Sequence, residues 1–288
     1  MHRIARIAIA ALASVGMLAS VAACGSGQST SEKNGTIEVA ASVNQWGTVA
    51  KALGGDNVNV TSIINSTNVD AHDYEPTTSD IAKLQKAQVI IVNGAGYDAW
   101  AVKAAQTANA IIVNAAEIGG VNDGENPHVW FSADVRKAVA QAITEAYEQA
   151  DAAKKNDFDK MNDQWAAEEN NVESKIAEVK QKTDGLAYAA TESVASYLAE
   201  DMGLADATPS GYARATANES EPTPTDIKQF TDALKAGEIK LLVVNTQEES
   251  ELTGKITDAA KSVEVPMVEL TEQMPEQYDS LTAWMEGL

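Results

Sequence analysis

At 288 residues the chain is long for one typical domain, so one large or two mid-sized domains are expected. A hydrophobic content of 44% supports real cores and excludes general disorder. The 42 acidic side chains stand against 21 basic ones, a net charge of −21, which excludes a nucleic-acid partner because phosphates would be repelled. The single cysteine excludes an internal disulfide, a CxxC redox pair and a cysteine-rich zinc site.

The N-terminal segment reads as a leader. Arg3 and Arg6 form a short basic head, and the run from Ile7 to Ala23 carries no charge. That run is short of the ~20 residues a spanning helix needs. It ends at Val21-Ala22-Ala23-Cys24-Gly25, small residues followed by the chain's only cysteine. This is the pattern of a lipoprotein signal, with residues 1–23 removed and a lipid attached to the Cys24 thiol. Residues 24–35 hold no apolar side chain after Cys24 and read as a flexible tether. The expected mature protein is acidic, extracytoplasmic and lipid-anchored to the cell membrane.

Strands are expected at Thr36–Val43, Asn57–Ile64, Val89–Val92 and Ile111–Val113, with helices at Trp46–Leu53, Pro76–Lys86 and Ala99–Thr107 between them. This βα alternation is that of a parallel sheet flanked by helices. From Ala133 to Lys182 there is no proline and the spacing turns helical, with a break expected near Asn156-Asp157. The second helix, Asp157–Lys182, would be roughly 39 Å long at 1.5 Å per residue. Alternation then resumes, with strands at Leu186–Ala190, Ile239–Asn245 and Val265–Leu270 and helices at Ser193–Met202, Thr225–Ala236 and Leu252–Lys261. The expected architecture is two α/β lobes, residues 36–150 and 185–288, joined by one long rigid helix within residues 151–184.

Once the leader is removed, His72 and His128 are the only histidines. Both sit on loops between elements, and in open parallel sheets ligands bind outside the carboxyl ends of the strands. In the second lobe Glu192 follows one strand, where it is expected to open a helix, and Glu272 follows another. Two imidazoles and two carboxylates could close a four-ligand cage around a divalent transition metal. Spacing by itself does not separate this from two surface histidines and two solvated helix ends among 42 acidic residues.

Several segments resemble the motifs of one family. Ala71-His72-Asp73-Tyr74-Glu75-Pro76-Thr77-Thr78-Ser79-Asp80 looks like the first metal-loop motif of the zinc- and manganese-binding lipoproteins of ABC importers, the TroA-like or cluster A-I family. Asn126-Pro127-His128-Val129-Trp130 is similar to the second motif. The stretch Thr191-Glu192-Ser193-Val194-Ala195-Ser196-Tyr197 is similar to the third, and Glu221-Pro222-Thr223-Pro224 to a helix start in the second lobe. The resemblance implies a metal held by His72, His128, Glu192 and a fourth ligand after the last strand. The family usually has Asp there; this chain has Thr271-Glu272-Gln273, which makes Glu272 the candidate, with Asn245, Gln247 and Glu248 as possible substitutes. It also implies a non-enzymatic, monomeric receptor working with a membrane permease and its ATPase.

Competing signals are weaker. Gly94-Ala95-Gly96-Tyr97-Asp98-Ala99 fits a dinucleotide fingerprint, but Asp98 puts negative charge where pyrophosphate would bind. No HExxH, GxSxG or P-loop is present. The five tryptophans read as packing residues. A surface adhesin or interaction lipoprotein is the alternative to the importer, and a metallohydrolase, which would need an open coordination position, comes third. Zinc and manganese stand level as the metal.

Overall fold

The computed structural model describes residues 35–69, 71 and 74–288. The expected leader, Cys24, almost all of the tether, and His72 lie outside the described residues. The first half runs β1 (Ile37–Val43), α1 (Asn44–Gly54), β2 (Val58–Ile64), α2 (Thr78–Lys86), β3 (Val89–Val92), α3 (Ala99–Ala105), β4 (Ile111–Asn114), α4 (Ala115–Gly119) and α5 (Ala133–Ala150). Next comes α6 (Lys155–Thr183). The second half runs β5 (Ala187–Ala190), α7 (Ser196–Asp201), β6 (Ala205–Asp206), α8 (Ser210–Ala217), α9 (Pro224–Lys235), β7 (Leu241–Asn245), α10 (Glu251–Ser262), β8 (Met267–Leu270) and α11 (Leu281–Gly287).

Two four-stranded sheets result, ordered β2-β1-β3-β4 and β6-β5-β7-β8, and every pairing is parallel. Parallel strands are covered on both faces, so central strands read as unbroken apolar runs. Strand β3, Val-Ile-Ile-Val, is buried at all four positions. In each sheet the chain order reverses beside the first strand, between β1 and β3 and between β5 and β7. These reversals open a crevice at the carboxyl ends of the strands.

The spine is α6, 29 residues and roughly 44 Å at 1.5 Å per residue. Only Phe158, Trp165, Glu169, Val172 and Ile176 are buried on it, one stripe at helical spacing. The buried carboxylate in that stripe is answered by Arg136 of α5, whose guanidinium donates from Nε and Nη2 to Glu169, with both residues fully buried. The core containing the apolar part of this stripe is continuous, from Trp46, Val89 and Trp130 on the first sheet's side to Tyr188, Val243 and Leu270 on the second's. The terminal helix α11 belongs in sequence to the second half, yet its Trp284 packs on Phe131 with ring centroids 5.3 Å apart. Covalently α6 is the bridge between the halves, but α11 adds a packed return contact that the sequence reading did not foresee.

Several boundaries differ from expectation. The break before the long helix falls at Asp151–Lys154, earlier than Asn156-Asp157, because Asp151 leaves the helical conformation and its carboxylate accepts from Ala153 N at 3.1 Å. Glu192 does not open a helix. The chain stays extended through Thr191, whose N–H donates to Val243 O at 2.9 Å and whose hydroxyl accepts from Asn245 N at 3.0 Å; α7 begins only at Ser196. The short elements α4, β6, α8 and α11 are additions to the expected set. Among the described residues no helix is long and apolar enough to cross a membrane.

Candidate metal centre

The two crevice carboxylates are placed by the ends of strands and the imidazole by a loop between helices. Glu192 follows β5 and Glu272 follows β8, while His128 lies between α4 and α5, just ahead of a short 3-10 turn at Val129–Phe131. One ligand atom from each of His128, Glu192 and Glu272 lies within 4.8 Å of the other two. His128 Nε2 and Glu272 Oε2 are 3.8 Å apart, and both side chains are almost fully buried. In a tetrahedral zinc complex with bonds near 2.0 Å, neighbouring donors stand about 3.3 Å apart, so a small contraction would seat an ion. The structure thus brings together three of the four residues named from the sequence; the fourth, His72, is outside the described residues.

The imidazole is oriented from behind. Asn126 Oδ1 lies 2.6 Å from His128 Nδ1 and also accepts the His128 backbone N–H at 3.1 Å. The Asn126 amide nitrogen is committed to Ser193 O at 2.8 Å. Its oxygen is therefore the group facing the ring, Nδ1 must carry the proton, and Nε2 presents its lone pair to the crevice. Tyr97 and Trp130 wall the ring edge-on, at 5.9 and 5.4 Å between centroids. Trp130 is thus a packing wall, as expected of the tryptophans. Its carbonyl accepts Arg136 Nη1 at 3.1 Å, which ties the His128 loop to the α5–α6 ion pair.

The carboxylates are held by a different group of donors. Asn245 Nδ2 donates to Glu192 Oε2 at 2.7 Å and to Glu272 Oε1 at 3.1 Å. The Tyr97 hydroxyl donates to Glu272 Oε2 at 2.9 Å and accepts from Gln273 Nε2 at 2.7 Å. Gln247 uses its amide oxygen on the backbone N–H groups of Glu272 and Gln273 and its nitrogen on Thr67 O, Val69 O and the Gln273 side chain. Asn245 and Gln247, two of the possible substitute ligands, thus support Glu272, and Glu248 is exposed.

Burial first, and then the negative charge of Glu272, pushes the Glu192 carboxyl up to about 8. Burial and the same charge hold the Tyr97 phenol well above its usual range, so it stays a donor. Two crowded carboxyls that resist joint ionisation, facing an imidazole lone pair, form a site whose excess negative charge a divalent cation would neutralise.

The glycine-rich segment after β3 has no phosphate role. Gly94, Ala95 and Gly96 all take positive φ, 82°, 52° and 85°. The buried Asp98 carboxylate accepts the N–H groups of Asn93 and Gly94 at 2.7 and 2.8 Å, using donors a pyrophosphate would need. The turn serves to aim Tyr97 into the crevice. Sequence reasoning passed over Tyr97 and Asn126 as supporting groups; the only sequence signals were the glycines around the first and the metal-loop motif containing the second.

Fold and site together define a class: two-lobed receptors, carried on one helix, that hold a small ligand between parallel sheets. The chain belongs to the ZnuA family, described as "Zinc-uptake complex component A periplasmic", which it matches over residues 39–288. Among curated relatives it is 24% identical over 253 residues to the manganese ABC transporter substrate-binding lipoprotein PsaA of Streptococcus pneumoniae, covering 81% of this chain and 79% of that one. It is 26% identical over 236 residues to the iron ABC transporter substrate-binding lipoprotein MtsA of Streptococcus pyogenes serotype M1, covering 74% and 73%. The solved periplasmic zinc-binding protein TroA of Treponema pallidum shares the fold, with a TM-score of 0.73 at 15% identity over 88% of this chain and 96% of that one. The chain is accordingly a substrate-binding component of a metal ABC importer and not an enzyme; its transported ligand is a divalent metal, and its family works with a permease and an ATPase.

Proposed function

We propose that the protein captures one divalent transition metal outside the membrane with His128, Glu192 and Glu272, joined by His72 from the first metal-loop motif, and delivers it to the permease. The convergence of an imidazole nitrogen from the loop before α5 and two carboxylate oxygens from strand ends of the second sheet, within 4.8 Å, carries this reading. Zinc and manganese both accept such donors, and zinc forms the tighter complex at nearly any nitrogen–oxygen site. The leader 1–23, lipidation at Cys24, the tether to residue 35, a cell-membrane anchor and a monomeric state belong to the same proposal. So does the division into lobes 36–150 and 185–288 about the helix of 151–184. The lipoprotein relatives support the anchor. The surface-adhesin alternative is not favoured, since the relatives are importer components and two of the three convergent donors, His128 and Glu272, are buried.

The test is metal analysis of the purified mature chain followed by competition titration of zinc against manganese. One chelator-removable metal per chain, lost in His128→Ala, is expected. A chain that takes up no metal under either titration sinks the reading.

A further inference from the structure

Glu272 is gripped at both ends by donors from opposite halves of the molecule. Its Oε1 accepts from Asn245 at the end of β7, and its Oε2 accepts from Tyr97 in the turn after β3. The same Oε2 is the atom 3.8 Å from His128 Nε2. Gln247 holds the backbone beneath through the N–H of Glu272, at 2.7 Å, and Gln45 Nε2 donates to the Glu272 carbonyl at 2.6 Å. Main chain and carboxylate are therefore both fixed, with Oε2 turned toward the imidazole and Oε1 drawn toward Asn245. A chelating carboxylate must place both oxygens about equally far from the ion. To reach that arrangement Glu272 would have to rotate about Cγ–Cδ and stretch one or both of these bonds. Glu192 is restrained at one oxygen, since its Oε2 accepts the same Asn245 amide.

We propose that Tyr97 and Asn245 are specificity-determining positioning residues, which limit the carboxylates to one metal bond each and so favour a four-coordinate ion over one that needs six oxygen-rich ligands. The inference rests on the metal-binding reading above and deepens it. Zinc is at ease with four ligands. Manganese belongs with the larger, oxygen-rich shells and gains when a carboxylate chelates. Neither residue needs to touch the metal, because each acts through the carboxylate it restrains. Residues beyond the coordinating atoms commonly tune a site by orienting them.

The experiment compares the mature chain with Tyr97→Phe, which keeps the ring and removes the hydroxyl, and Asn245→Ala, which removes the shared amide. Zinc and manganese affinities are measured by competition, and cobalt(II) is bound as a spectroscopic probe whose visible bands are intense in four-coordinate sites and weak in six-coordinate ones. Thermal melting of each variant checks that it folds. The two variants remove different donors, so one that folds poorly leaves the other to decide. The expected result is a zinc-over-manganese affinity ratio lowered tenfold or more, with a weakened visible band of the cobalt form. An unchanged ratio and cobalt spectrum, or a parallel loss of both metals with the four-coordinate spectrum kept, overturns the inference while leaving metal capture standing. Failure of the unsubstituted chain to bind either metal overturns the metal-binding reading instead.

Discussion

Asn44, at the start of α1, and Met274, after β8, exchange two hydrogen bonds: Asn44 Nδ2 to Met274 O at 2.7 Å and Met274 N to Asn44 Oδ1 at 3.2 Å. The side-chain amide copies the pairing of a peptide group and joins the two halves next to the metal crevice. Asn126 to Ser193 O and Tyr197 to Asn126 O add two more ties between the halves.

These ties, the continuous core and the unkinked α6 limit relative motion. α6 contains no Pro or Gly, the usual causes of a sharp bend. Metal removal should therefore change inter-lobe distances, measured between spin labels on α2 and α9, by no more than a few ångströms. A change beyond about 10 Å, close to seven residues of helix rise, would refute the rigid spine. Inserting Gly-Gly near Ala167 should loosen the lobes and weaken metal binding.

Replacing His128 with Ala should reduce metal affinity more than tenfold, because it removes a proposed metal bond. Replacing Asn126 with Ala should cost about 10- to 100-fold, the usual effect of losing a ligand's supporting partner. Calorimetric or competition titration reads both. Undiminished affinity in Asn126→Ala would mean that the tautomer is set without it.

Metal affinity should depend on pH up to mild alkalinity. A carboxyl raised to about 8 is largely protonated at neutral pH, and a metal must displace that proton. Affinity is then lowest in acid and climbs as pH rises, with the Glu192 contribution complete only above about 8. Titrations from pH 5 to 9 should show the climb continuing past 7, and Glu192→Gln should flatten its upper part. A plateau already reached at pH 6 would contradict the raised Glu192 carboxyl.

The Arg136–Glu169 pair predicts an asymmetry in stability. Removing one partner leaves a buried, uncompensated charge, so Arg136→Met should cost about 3–5 kcal/mol in denaturant unfolding. Replacing both, as Arg136→Met with Glu169→Leu, should recover most of that loss. Metal affinity should still fall in the double variant, because Trp130 O loses the donor that steadies the His128 loop.

The loop positions of Glu192 and Glu272 could be read from the order of strands, since each follows an apolar run that identifies itself locally, whereas His128 stands out only as one of two histidines after the leader and through the motif around it. The supporting groups could not. Tyr97 and Glu272 are 175 positions apart, and Asn245 looks like any residue closing a strand until Glu192 and Glu272 are placed on either side of it. The extra helix α11 was missed because a seven-residue segment shows too little periodicity, although its Leu281, Trp284 and Met285 form a buried stripe.

By itself the sequence determined what depends on near neighbours. Alternating apolar runs made the parallel strands, the absence of Pro and Gly made α6, and Thr77 and Thr223 with Asp80 and Asp226 built capping boxes that start α2 and α9. Only the tertiary structure decided which of 42 acidic residues meet an imidazole, which amides hold them, and which turn carries Tyr97 across to the other half. Helix periodicity and capping act over a few residues and leave a pattern in the sequence. A buried polar cluster is assembled by loops from distant strands, and each member is chosen by partners it meets only after the core has formed.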